Sequence, residues 1–138
     1  MADLAITPGD VVALEGATFG DGTAGEDVSA GEPVYLDTTD ESKIKPAGAG
    51  GTELLASVAG IALNNAAAEQ PVKYASAGEI DLGVTLVVGE VYVLSSTAGG
   101  IAPYGDLSAG DFVTIIGYAK DADTLVLFRK ATTVQVPA

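Results

Sequence analysis

Apolar and polar residues alternate with a period of two along much of this chain. Ile80, Leu82 and Val84 fall on one face of an extended segment while Glu79 and Asp81 fall on the other. Phe112, Thr114, Ile116 and Tyr118 alternate in the same way with Val113, Ile115 and Gly117, and in Leu125-Val126-Leu127-Phe128 both faces are apolar. Half-buried strands with a few central ones are the expected result. Runs of this kind follow directly on a Gly-acid pair at Gly9-Asp10, Gly31-Glu32, Gly78-Glu79, Gly89-Glu90 and Gly110-Asp111. Glycine accepts positive φ at a turn and the neighbouring acid can hydrogen-bond local backbone, so each pair predicts a turn and then a strand. About eight strands are expected, near 11–14, 33–36, 57–62, 71–75, 79–88, 90–95, 112–119 and 124–130. The longest is expected to bend or break at Gly83. The one helix candidate, Ala62 to Glu69, is short and runs straight into Pro71.

The pattern is written twice. Gly31-Glu32-Pro33-Val34-Tyr35-Leu36 returns as Gly89-Glu90-Val91-Tyr92-Val93-Leu94, Lys45-Pro46-Ala47-Gly48 matches Ala102-Pro103-Tyr104-Gly105, and Ser57-Val58-Ala59-Gly60-Ile61-Ala62 matches Thr114-Ile115-Ile116-Gly117-Tyr118-Ala119. A duplicated strand unit over about 31–75 and 89–130 predicts an all-β fold, a small β-barrel or β-sandwich. Residues 29–138 read as one β domain. Residues 1–28 read as an extended N-terminal arm with one short strand, because Gly20-Asp21-Gly22-Thr23-Ala24-Gly25-Glu26-Asp27 offers little apolar surface and predicts a tether or loop. Ala47 to Gly51 reads as a second loose segment.

Composition narrows the chemistry. The 138 residues are 48% hydrophobic but only 6% aromatic, so the core is built from small branched side chains. Neither Cys nor His occurs, which removes disulfides, thiolate ligands, cysteine nucleophiles and the usual neutral-pH general base. The net charge is −13, and ten acids precede the first base, Lys43. Such a polyanion is expected to bind neither nucleic acid nor an anionic membrane. No run approaches the roughly 18 apolar residues of a spanning helix, and Met1-Ala2-Asp3-Leu4 lacks a basic signal region, so synthesis in a cytoplasm is expected.

Carboxylates are the plentiful reactive groups, yet most sit beside turn glycines, and Trp is absent, so paired-acid glycoside hydrolysis is disfavoured. Asp37-Thr38-Thr39-Asp40-Glu41 and Asp121-Ala122-Asp123 offer hard oxygen ligands without the order of a calcium loop, and read as acidic hairpin tips. Gly48-Ala49-Gly50-Gly51-Thr52 lacks the lysine of a phosphate loop and reads as flexible. Arg129-Lys130 reads as a partner for acids, and Tyr35 and Tyr92 as strand residues packing a core edge. No catalytic residue, metal site or cofactor is expected.

The strand-and-turn words Ala30-Gly31-Glu32-Pro33-Val34-Tyr35-Leu36-Asp37, Val58 to Asn64 with Gln70-Pro71-Val72, Val88-Gly89-Glu90-Val91-Tyr92-Val93-Leu94, and Gly99-Gly100-Ile101-Ala102-Pro103 leading to Gly110-Asp111-Phe112-Val113 resemble those of tailed-bacteriophage capsid cement (decoration) proteins and related head-fibre bases. The resemblance spans about residues 29–130. It implies a compact β domain, commonly a homotrimer, on the outer surface of an expanded capsid, with an N-terminal arm reaching the major capsid protein. The apolar start of the arm, Leu4, Ile6, Pro8, Val11 and Val12, is the expected contact, since it could add a strand to an exposed sheet edge. A fibre-type module binding a receptor or glycan is the alternative.

Overall fold

The glycine-punctuated alternation folds as the pattern predicts, into strands and tight turns. In the computed structural model, which describes residues 4, 6–50, 52, 54–107 and 109–137, the chain is all-β. Its strands are β1 (Val12–Ala13), β2 (Thr18–Thr23), β3 (Pro33–Asp37), β4 (Lys43–Pro46), β5 (Gly60–Ala62), β6 (Pro71–Asp81), β7 (Val91–Leu94), β8 (Ile101–Pro103), β9 (Phe112–Ala119) and β10 (Leu125–Gln135). They form one antiparallel, curled sheet, a half-barrel, in the order β4-β3-β5-β6-β10-β9-β7-β8, with β1 and β2 also paired to β6. Gly31 and Gly89 take φ of +91° and +82° just ahead of β3 and β7, the conformation for which glycine is needed there.

The duplication extends to the hydrogen-bond register. Each half places the second strand of its unit outermost, followed by the first, third and fourth. Pro33 pairs with Ile61 and Ile61 with Ala75 in the first unit; in the second, Val91 pairs with Tyr118 and Tyr118 with Val126. Val34–Gly60 and Val34–Pro46 likewise match Tyr92–Gly117 and Tyr92–Pro103. Even the two strand glycines do the same work: a Cβ on Gly60 would run into the Ala75 carbonyl oxygen, and one on Gly117 into that of Val126. The two tyrosines are therefore not equivalent. Tyr92 corresponds to Val34, and Tyr35 to Val93, one position away and so on the opposite face.

This offset sorts the side chains into two cores. The main one packs Tyr35, Ile61 and Ala75 of the first unit against Tyr92, Leu94, Ile101, Ile116, Leu125 and Leu127 of the second. A smaller one gathers Val34, Ile44, Ala62 and Val72 under Ala24, Val28 and Ala66. Tyr92 is buried, and its hydroxyl accepts the Val87 N–H at 3.1 Å.

Several expectations change. The first half of the stretch read as a tether, Gly20 to Thr23, belongs to β2, a strand of six residues paired along β6, and is followed by the fully buried Ala24, which bridges Ile44. The glycines of β2 serve close approach: a Cβ on Gly20 would lie 2.5 Å from the Tyr74 ring, and one on Gly22 2.9 Å from Ile44 Cδ1. Residues 71–75 and 79–81 belong to one strand, because Gly78, at φ +97°, sits inside β6 where the chain crosses from its pairing with β2 to its pairing with β10. That strand ends at Asp81, ahead of Gly83 at φ +73°, so the expected run to 88 is not a strand. Strands β4 and β8 lie outside the eight expected, and the helix candidate at 62–69 holds the last residue of β5, Ala62, and then a loop. Asn64 fastens that loop by accepting the Lys73 N–H at 2.8 Å and donating to the Pro71 carbonyl at 3.1 Å, while Asn65 accepts the Ala30 N–H at 2.9 Å. Ala47 and Ala49 of the segment read as loose are fully buried, tied by the Ala49 N–H to Ser95 O and the Phe112 N–H to Ala49 O, each at 2.8 Å.

Candidate docking surfaces

The expected contact residues lie against the body of the same chain. Leu4 donates its N–H to Ile101 O at 2.8 Å, on the edge strand β8, and Leu4, Ile6 and Val11 pack against the main core. Pro8 opens a short 3₁₀ turn, and Val12 pairs with Asp81 at the edge of β6 with its side chain half exposed. A Cβ on Gly31 would meet Ile6 Cγ2 at 2.5 Å and Val11 Cγ2 at 3.0 Å, so the missing side chain is what seats the segment.

Beneath this segment Leu4, Ile6 and Pro8 join residues 29–32 and Gly99 around a cavity of about 250 Å³. Glu32 lines it, with Oε1 accepting the Ser29 N–H at 2.7 Å. Partial burial pushes its carboxyl above the ordinary range; the Ser29 hydrogen bond works against that shift and the nearby Glu26 adds to it.

A second surface lies on the outward side of β7, β9 and β10. Val91, Tyr118 and Val126 stand side by side across three strands, and Phe128 follows two residues beyond Val126 on β10. Tyr118 is 45% exposed and Phe128 60%. Next to this row Gly89, Glu90, Val91, Tyr104, Gly105 and Ile115 line a groove of about 440 Å³, with Tyr104 61% exposed at its side. An exposed apolar surface of this kind can bury itself against a protein, or stack an aromatic ring on a sugar. Sequence reading missed it, because alternation alone cannot say which face of a strand is covered. The repeat alignment held the available signal, since it sets Tyr118 on the position of Ile61.

The acidic hairpin tip between β3 and β4 is a structural charge network. Lys45 Nζ lies 2.7 Å from Asp37 Oδ2 and 3.1 Å from Asp40 Oδ2, and Lys43 Nζ lies 2.8 Å from Glu69 Oε1. The hydrogen bond from Lys45, seconded by those from Thr39, holds the Asp37 carboxyl down at about 2, and the same contact pushes the Lys45 ammonium up. Among the described residues no group of three or more acids converges as a metal-holding set. Among the described residues the partners of Arg129 are main-chain carbonyls in place of the acid expected. Arg129 sits at the β-bulge of β10, where it donates to Ser76 O at 2.7 Å and Val58 O at 2.8 Å.

No protein-family model matches the chain, and no curated protein matches it.

Proposed function

We propose that this chain is a structural virion protein, a cement or decoration protein that binds the outer surface of an expanded bacteriophage capsid and stabilises it. The observation that carries the reading is the way the N-terminal segment is lodged. It lies outside the duplicated eight strands and is held by adding itself to strand edges, through Leu4 to β8 and through Val12 and Ala13 to β6. The same backbone groups and the apolar side chains of Leu4, Ile6, Val11 and Val12 suit an exposed strand edge of the major capsid protein equally well. Subunits that bind only the expanded shell stabilise it by mass action, and a homotrimer would multiply each contact threefold. Each site at a free concentration one hundred times its Kd would contribute about 2.7 kcal/mol.

The groove beside Tyr104 favours a second reading, a head-fibre or tail-fibre module that binds a receptor glycan. The exposed Tyr104 ring and the Glu90 carboxylate line one groove, a combination that can stack and hydrogen-bond a neutral sugar.

The test is the melting of expanded shells with and without the purified protein, and with a variant lacking residues 2–14. The cement reading expects the full chain to raise the shell melting temperature and the deletion to weaken that effect. Unchanged shell stability together with glycan binding would transfer the function to the second reading.

A further inference from the structure

The Gly-Glu turn ahead of β3 recurs ahead of β7, but the two acids have different surroundings. Glu90 borders the groove beside Tyr104. Glu32 faces the cavity of about 250 Å³ whose apolar walls are Leu4, Ile6 and Pro8, all from the N-terminal segment outside the duplicated strands. That segment turns an ordinary turn carboxylate into a partly enclosed one. Oε1 of Glu32 accepts the Ser29 N–H at 2.7 Å, and the side chain fits because position 99 is glycine, where a Cβ would run into Oε2.

No base answers this carboxylate. The charge that acts on it is a second acid, Glu26, and among the described residues no lysine or arginine pairs with it. Lys43 and Lys45 are committed to the tip between β3 and β4, Lys120 to Glu79, Arg129 to main-chain carbonyls and Lys73 to the face of the Phe19 ring. A carboxylate drawn partly out of water without an opposite charge is destabilising, and a cation delivered to it offsets that loss.

We infer that this cavity is a binding site for a primary alkylammonium group, carried by a free amine or by a lysine side chain. Three features select that chemistry. The volume falls below the roughly 300–1,000 Å³ of pockets for drug-sized ligands, and suits one unbranched chain. The walls divide as a lysine side chain does, with apolar surface for the methylenes and a carboxylate for the charged head. A hydrated metal ion would gain nothing from Leu4, Ile6 and Pro8, and among the described residues no three acids converge to hold one. The third feature is the acceptor itself. With Oε1 engaged by Ser29 and Oε2 against Gly99, it suits a compact ammonium better than a planar guanidinium, which favours both oxygens together. The net charge of −13 raises the concentration of cations around the whole chain. The inference goes beyond the shell reading and stands whether or not the chain binds a shell.

The test is a titration of the full chain with n-butylammonium chloride, followed by ¹⁵N-resolved NMR, against potassium chloride at equal ionic strength. The amine is expected to give saturable shifts at the amides of Ser29, Gly31, Glu32 and Gly99, with a Kd on the order of millimolar, and potassium to give none there. Glu32→Gln keeps the shape and the acceptor for Ser29, and should weaken binding about ten-fold or more. Glu41→Gln, at an exposed acid on the tip between β3 and β4, should leave it unchanged. The same spectra show that each variant is folded. Nα-acetyl-lysine N-methylamide separates the two sources: shifts at the same amides support a lysine side chain as ligand, and their absence beside a positive n-butylammonium titration supports a free amine. No saturable shift with n-butylammonium, shifts centred away from the cavity, the same shifts with potassium, or equal affinity in Glu32→Gln would overturn the inference.

Discussion

Gly60→Ala and Gly117→Ala probe the duplicated architecture at its tightest point. In each case the new methyl meets a main-chain carbonyl oxygen, of Ala75 or of Val126, on the neighbouring strand. A carbonyl in a ladder cannot rotate aside, so the strands must separate. Overpacking of this kind costs about 1–3 kcal/mol, and the change from Gly to Ala in a strand returns about 0.5–1 kcal/mol through the unfolded chain. The net loss should be about 1–2 kcal/mol for each variant. A chain of 138 residues has an unfolding entropy near 0.3 kcal/mol/K by the usual per-residue value, which converts that loss to a fall in Tm of roughly 3–7 °C. Thermal melts followed by circular dichroism would measure it, with Gly9→Ala, whose Cβ would have nothing within 4 Å, as a control expected to stay near wild type. Because the two glycines hold matching register positions, their losses should agree to within about 0.5 kcal/mol. If either variant melted with the wild type, or one were far more damaging than the other, the equivalence of the two units would be refuted.

The matched pair Ile61 and Tyr118 separates a covered face from an open one: Ile61→Ala should cost about 2–5 kcal/mol in urea unfolding, while Tyr118→Ala, measured where the protein is monomeric, should stay within about 0.5 kcal/mol. Lys45→Ala should remove an acid-sensitive contribution. Asp37 titrates lower in the folded chain than its ordinary 3.8, so its contact stabilises above that pH and is lost as pH falls toward about 2. The urea midpoints of wild type and variant should therefore differ above pH 4 and converge toward pH 2, and a constant difference would sink the assignment. Glu32 has the opposite sign. Its raised value means that the fold favours the protonated form, so stability should decline as pH rises from 4.5 through the shifted value, and Glu32→Gln should flatten that decline.

The turn glycines and the doubled strand words made the duplication legible, because a positive-φ turn and a period of two are local properties. What escaped reading depends on neighbours distant in the chain. Gly20 and Gly22 have the composition of a loop, and only the ring of Tyr74 and the side chain of Ile44 beneath them reveal a strand lying flat on its support. Gly78 carries the same Ser-Ala-Gly lead-in as the turns ahead of β3 and β9, yet it bends a strand instead of ending one. Lys43-Ile44-Lys45-Pro46 is too short and too charged to read as a strand, although Ile44 is fully buried and both lysines find acids. The candidate surfaces divide along the same line. The apolar character of the N-terminal segment is visible in its residues, whereas its seat above Gly31 and the openness of Tyr118 follow from how the two units stack.

The most direct measurement of the functional account is electron microscopy of expanded bacteriophage shells, of the kind the proposal assigns to this chain, incubated with the full protein or with the variant lacking residues 2–14. The account predicts ordered density for the β domain on the outer surface, with residues 4–13 reaching onto the major capsid protein, and strongly reduced occupancy for the truncated chain. Bare shells at saturating protein, or equal occupancy with and without residues 2–14, would contradict it.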